Sequence, residues 1–226
     1  MENELKDKST AKAYSVEYRD DNGVIETTLY SYGTKINITL RGVQFEGDHL
    51  ANLVPISETD LSLLSQFPSN VLDDDNWLEH FALHITIPIT VVTDEEHVEE
   101  AVVELEITPE PSIYSVFLTF RQQRHNIRSL EYGLDPKRTP IPHIKYAKIC
   151  LNCVYGDYWP FGGEDNWDMI CFKEGKMIYR QYLRTQASYK RFISKVMNAE
   201  EFEILQTQET YCCEEFDPKT GDQIWH

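Results

Sequence analysis

The sequence predicts an α+β protein: a mainly antiparallel β-sheet front over residues 1–134, acidic in character, and a smaller C-terminal lobe over 144–226 containing one clear helix. Three observations predict it. Apolar and polar residues alternate through much of the front, the period of half-buried strands. Pro136, Pro140 and Pro142 then break the chain together, marking a boundary at 135–143 unless the whole is one continuous domain. Beyond them Tyr189, Phe192, Ile193, Val196 and Met197 recur at the spacing of one helix face, predicting a helix over 186–198.

Residues 1–11 are a polar terminus. Residues 12–19, 24–31 and 34–41 read as three strands, with turns at Asp20-Asp21-Asn22-Gly23 and at Gly33. Ser57-Glu58-Thr59-Asp60 ahead of Leu61, Leu64 and Phe67 fits a capping box opening a short helix, which Pro68 closes. Leu83, Ile85, Ile87, Ile89 and Val91 alternate with His84, Thr86, Pro88, Thr90 and Val92, and Pro88 pushes that strand toward an edge or a bulge. Val103, Leu105 and Ile107 alternate with Glu104 and Glu106, which places carboxylates on the wet face of the sheet. The run Ile113–Phe120 is apolar on both faces and suits a central strand. A last strand-like segment spans Phe202–Cys213.

Charge is distributed unevenly. The chain of 226 residues carries 21 Lys and Arg against 38 Asp and Glu, a net charge of −17, which disfavours a nucleic-acid binder that relies on overall positive charge. Residues 42–120 hold 16 of the acids and no Lys or Arg. Residues 121–148 reverse the sign with Arg121, Arg124, Arg128, Lys137, Arg138, Lys145 and Lys148 against Glu131 and Asp135. A one-signed block is either a solubilising surface or a docking face that steers a basic partner. No run is long and apolar enough for a membrane span, and MENELKDKST has no hydrophobic signal region, so a soluble cytoplasmic protein is expected.

All five cysteines follow residue 149: Cys150, Cys153, Cys171, Cys212 and Cys213. Cys150-Leu-Asn-Cys153 and Cys171 supply three positions of a C-x₂-C-x₁₅₋₂₀-C-x₂-C zinc pattern; the nearest candidates for the fourth come about 40 residues later. A C-x₂-C turn offers Zn²⁺ two thiolates from one tight knuckle, and two more can come from neighbouring strands. Buried inert thiols and a redox pair are the other readings of the same spacing.

The loop Tyr155–Trp167 interleaves Tyr158, Trp159 and Trp167 with Asp157, Glu164 and Asp165, a composition that suits recognition of a basic partner as well as an aromatic core capped by a polar turn. His80 and His84, and the acids Asp73, Asp74, Asp75 and Glu79, lack the spacing of a metal motif and read as surface or packed residues. No G-x-S-x-G, H-E-x-x-H or phosphate-loop motif is present.

Cys150-x₂-Cys153-x-Tyr155-x-Asp157-Tyr158-x-Pro160-x-Gly162, then Cys171-Phe172, then Gln208-Glu209-Thr210-x-x-Cys213-x-Glu215-Phe216 resembles an uncharacterised bacterial family with the pattern C-x-x-C-x-Y-S-D-Y-S-P-x-G, C-F and Q-E-T-x-x-C-x-E-F. Tyr18-Arg19-Asp20 with Gly23, and Arg41-Gly42-Val43-x-Phe45-x-Gly47-Asp48, are similar to its front part. Gly156 and Trp159 depart from the family's serines, and Cys212 is an extra thiol. The resemblance selects Cys150, Cys153, Cys171 and Cys213 as a structural zinc set and implies no activity. The sequence thus points to a non-catalytic acidic protein-binding protein, an immunity-type inhibitor of a basic toxin or effector. A cysteine-dependent enzyme or redox protein is the alternative.

Overall fold

The structure is a computed structural model that describes residues 11–32, 35–47, 50–56, 61–108, 114–127, 141–158, 169–171, 205–207, 214 and 216–218. Its strands are β1 (Lys12–Asp20), β2 (Gly23–Ser31), β3 (Ile36–Leu40), β4 (Val43–Gly47), β5 (Val54–Pro55), β6 (Ala82–Thr93), β7 (Val98–Ile107), β8 (Tyr114–Phe120), β9 (Gln123–Asn126) and β10 (Ile144–Ala147). These ten form one sheet in the order β5-β4-β3-β2-β1-β6-β7-β8-β9, with β10 on β6, and every pairing is antiparallel. Three further strands, β11 (Gly156–Tyr158), β12 (Met169–Cys171) and β13 (Leu205–Thr207), make a separate small antiparallel sheet.

Register puts the apolar set of each strand on one face. Val16 lies opposite Ile85, Ile85 opposite Leu105 and Leu105 opposite Val116, and all four are buried. On the other side Leu29 faces Ile38, and Ile38 faces Phe45. A one-residue slip at any ladder would carry such a set to the solvent face, so the alternation fixes the register. The segments 50–56 and 61–81 cover part of the apolar face: Leu50, Leu53, Phe67, Val71, Leu78 and Phe81 belong to the same core, and Phe67 meets Phe45 edge-on at 5.7 Å.

The three front strands and the 83–92 alternation stand where the sequence places them. Three features differ. First, Pro88 sits in an interior strand, not at an edge. On one side it pairs with Val102 of β7; on the other, the β1 ladder stops at Thr86 and β10 begins at Val91. The missing N–H therefore falls in the gap between two partners of β6, where no ladder bond is forfeited. Second, β8 is next to last rather than central. Third, no α-helix is found among the described residues. Among the described residues the only helical segments are short 3₁₀ turns, at Leu50–Asn52, Leu61–Gln66 and Cys150–Asn152. The Leu61–Gln66 turn occupies the place of the short helix before Pro68, its capping residues 57–60 lying outside the described residues, as do the helix over 186–198 and most of Phe202–Cys213. The described fold is thus antiparallel β throughout. After the proline break the chain rejoins the large sheet, because β10 pairs with β6 and Ala147, Ile149, Cys150 and Leu151 enter its core.

Two hairpins turn on adjacent left-handed residues, as two-residue connections with the twist of the sheet require. Arg41 and Gly42 take φ of 48° and 81° between β3 and β4, and Arg121 and Gln122 take 47° and 67° between β8 and β9. A Cβ on Gly42 would meet only Leu63 Cδ1 at 3.5 Å, an ordinary contact, so the backbone sets the cost of replacing it. Gly42→Ala is expected to lower stability by about 1–2 kcal/mol, the left-handed penalty of an L-residue. A urea midpoint unchanged from wild type would show that the turn relaxes to another form.

Candidate functional site

Three side-chain constellations stand out, and the first was only half visible in the sequence. Asp20 ends β1 with its side chain fully buried. Its carboxylate accepts hydrogen bonds from Tyr18 Oη (2.9 Å), Arg41 Nη2 (2.6 Å), Arg41 Nε (3.2 Å) and the Asn22 backbone N–H (2.8 Å). Burial pushes the Asp20 carboxyl up, but the hydrogen bonds from Arg41, Tyr18 and Asn22 and the Arg41 charge outweigh it and hold it below its usual range. Burial also pushes the Tyr18 phenol well above its usual range, and the Asp20 carboxylate adds to that. The Tyr18-Arg19-Asp20 and Arg41-Gly42 motifs noted separately in the sequence thus meet: the left-handed hairpin residue Arg41 is the cation for Asp20. Nothing in the spacing of 20 and 41 announces this, since it depends on β1 and β3 flanking β2.

The second constellation lies on the polar face of β6–β9. Glu104 of β7 faces Thr86 on one side and Phe117 on the other, and Arg124 of β9 reaches across β8 to it. Arg124 donates from Nε to Glu104 Oε2 and from Nη2 to Glu106 Oε1, both at 2.8 Å, with its guanidinium 3.5 Å from the Phe117 ring centre. His84 Nε2 is 3.6 Å from Glu104 Oε1, beyond hydrogen-bond range. Arg121 holds Glu99 at 3.1 and 2.5 Å, and Lys145 pairs with Glu96. Hydrogen bonding to Arg121 keeps the Glu99 carboxyl low; the carboxylates in turn raise Arg121, Arg124 and Lys145. The sign reversal at residue 121 therefore has an internal purpose. Basic residues after β8 pair with acids on and before β7, so part of the 42–120 block is matched within the sheet.

Acids away from this network are more accessible. Asp73 is structural: its Oδ1 accepts from the backbone N–H of Asp75 (2.9 Å) and Trp77 (2.7 Å), closing a loop that Leu72 and Leu78 bridge at its base. That loop carries exposed Asp74, Asp75 and Glu79 and leaves the Trp77 indole 43% exposed. Sequence reading treated the acids as a solvated loop and passed over Trp77. An isolated Trp among acids was the available signal.

The third constellation contains the cysteines. Cys150 opens the 3₁₀ turn, Cys153 ends it with its N–H on Cys150 O (3.0 Å), and Gly156 N–H returns to Cys153 O (3.0 Å). Gly156 begins β11 and lies opposite Cys171 on β12. All three cysteines are buried. Cys213 lies outside the described residues, and among the described residues no three His, Cys, Asp or Glu side chains are grouped as a metal site. Of the partner-binding residues expected from the sequence, Asp157 and Tyr158 are in β11, while Trp159, Glu164, Asp165 and Trp167 lie outside the described residues. No helix among the described residues is long and apolar enough to cross a membrane.

A wide antiparallel sheet with a buried Tyr–Asp–Arg lock at one hairpin end and a cysteine turn leading into a second small sheet defines the class of this protein. The chain belongs to a family of unknown function, DUF6304, whose model matches residues 12–156. The match takes in the whole large sheet and the C-x₂-C turn and stops where β11 begins. No curated protein and no solved structure matches the chain.

Proposed function

We propose that this protein is a non-catalytic, acidic, cytoplasmic protein-binding protein, an immunity-type inhibitor that covers a basic toxin or effector. The observation that carries the reading is the 72–79 loop. A large aromatic is held 43% exposed among Asp74, Asp75 and Glu79, on a backbone fixed by Asp73. Trp is the residue type most enriched among binding hot spots, and carboxylates around it select Lys- and Arg-bearing partners through attraction and through stacking of cations on the indole. A fixed loop loses little conformational freedom on docking. The aromatic–acidic stretch Asp157, Tyr158, Trp159, Glu164, Asp165 and Trp167 is proposed as a second contact of the same chemistry. Nucleic acid is the poorer partner on the net charge of −17, and Arg121, Arg124 and Lys145 are paired with Glu99, Glu104, Glu106 and Glu96.

The test is affinity capture with the full chain from the cytosol of its native source, at low and moderate salt. A basic protein encoded beside it is the expected catch, held more weakly as salt rises. Trp77→Ala is expected to weaken that complex about 30-fold, the effect of losing a hot spot of about 2 kcal/mol, with an unchanged urea midpoint. Failure to retain any basic partner at either salt, or a complex indifferent to Trp77→Ala, would overturn the respective part of the proposal.

A further inference from the structure

We infer that Asn22 is a site of spontaneous covalent modification, where the Asn22–Gly23 step cyclises and reopens as aspartate and isoaspartate, and that the Leu61–Gln66 turn to which Asn22 is tied sets the rate. This stands apart from the protein-binding reading and does not need it.

Cyclisation requires the backbone nitrogen of the following residue to reach the asparagine side-chain carbonyl carbon, and a side chain on that residue obstructs the approach. Asn22–Gly23 is the one Asn–Gly step in the chain; every other asparagine precedes a residue that carries a side chain. Asn22 and Gly23 are both exposed. Apart from its chain neighbours, no heavy atom lies within 4 Å of the position a Cβ on Gly23 would take, so that flank of the peptide is open to water. The Gly23 nitrogen gives its proton to hydroxide and attacks Asn22 Cγ. The N–Cγ bond forms, the Cγ–Nδ2 bond breaks, and Nδ2 leaves as ammonia with a proton taken from water. Water then opens the cyclic imide at one carbonyl to give isoaspartate or at the other to give aspartate. One water is consumed and one ammonia released, with no change of oxidation state.

In the folded chain this step is restrained. Asn22 Nδ2 donates to Gln66 O (2.9 Å), 44 residues away in sequence, and the Asn22 backbone N–H donates to Asp20 Oδ1 (2.8 Å). Gly23 is also paired with Asp20 at the end of the β1–β2 ladder. The contact to Gln66 is the one most easily lost. It joins the hairpin to a six-residue 3₁₀ turn, a form with poorer hydrogen-bond geometry than an α-helix. From Ser62 to Phe67 only Phe67 is buried, with Leu63 and Leu64 partly so. Segments with few buried apolar contacts open at lower free energy than a sheet core. Lifting the turn frees Nδ2 and lets Cγ swing toward the Gly23 nitrogen.

Neither product can restore the contact. A carboxylate has no donor for Gln66 O and sets negative charge against that carbonyl, next to Asp20 and Asp21. Losing the partner of a hydrogen bond is the expensive half of such a change. Isoaspartate also lengthens the main chain of the two-residue connection between β1 and β2. Either product therefore leaves the Leu61–Gln66 turn without its anchor, directly beside the Asp20–Arg41 lock.

The experiment ages the full chain at neutral and mildly alkaline pH and follows it by intact mass, by peptide mapping across residues 20–24 and by labelling with an isoaspartyl methyltransferase. Asn22 is expected to be the first amide lost, as a mixture of aspartate and isoaspartate, faster at the higher pH, with no methyl label in Asn22→Gln. Phe67→Ala, which loosens the turn, is expected to speed the loss by at least about tenfold, because truncating a buried Phe biases that opening by more than such a factor requires. Val116→Ala, in β8 and away from the hairpin, is expected to leave the rate unchanged. Should Phe67→Ala fail to fold, Leu63→Ala is the milder truncation in the same turn and is expected to act in the same direction. An amide at Asn22 that outlasts the other asparagines would overturn the site. Equal rates in wild type and the turn variants, or equal acceleration by Val116→Ala, would overturn control by the Leu61–Gln66 turn.

Discussion

Asp20→Asn is expected to lower the free energy of unfolding by about 3 kcal/mol, the low end of the cost of breaking a buried ion pair by removing one partner. The Asp20 side chain has no exposed surface and that of Arg41 is 17% exposed, so solvent can repay only a little of the lost pairing. Arg41→Met, which leaves the buried carboxylate without its cation, is expected to cost a similar amount. Because the two residues serve each other, the double variant should cost clearly less than the sum of the single ones. Additive urea midpoints would show that Asp20 and Arg41 act independently and form no lock. The pH dependence has a definite sign. The folded carboxyl titrates below its unfolded value of about 3.9, so its stabilisation is complete above that value and is lost as pH falls through the folded one. Wild type should therefore shed this contribution in acid below about pH 4, while Asp20→Asn, having none to lose, shows a flatter acid limb.

Phe45→Ala is expected to cost about 3–5 kcal/mol, the usual range for truncating a buried Phe. Phe45 has no exposed surface, its strand pairs with β3 and β5, and its ring meets the edge of Phe67 at an interplanar angle of 82°. The side chain thus joins the sheet to the 61–67 segment above it. Coupling between Phe45→Ala and Phe67→Ala is expected at about 0.5–1.5 kcal/mol beyond the loss of buried area. Amide exchange should show the segment around Leu61–Gln66 opening before the sheet does. Uniform exchange across both would mean that the covering segment and the sheet unfold as one unit.

How much of this was legible follows from how far apart the cooperating residues are. Strands such as β1, β3 and β6 show themselves through alternation, which is a local property of the pleat. Their order in the sheet is not local. Pro88 argued for an edge because a proline forfeits a ladder bond, and the structure answers with a strand that changes partners at that residue, a solution no sequence window contains. The charge block at 42–120 was plain, but half its meaning lay in Arg121, Arg124 and Lys145, which neutralise it from across strands. Asp20 and Arg41 were seen as fragments of a resemblance and acquire a joint role only through the β1-β2-β3 meander. At the cysteines, the C-x₂-C turn was readable and its partner across β11–β12 was not, since register decides it.

The partner change along β6 also constrains how the chain emerges during synthesis. β1 is made early and its partner β2 follows directly, but its other edge waits for Ala82–Thr86. At typical rates of about 5–20 residues per second, that edge stands bare for roughly 3–13 seconds. Its polar face carries Glu17 and Arg19, which pair in the folded sheet, and such charges discourage an exposed strand from recruiting a neighbouring nascent chain.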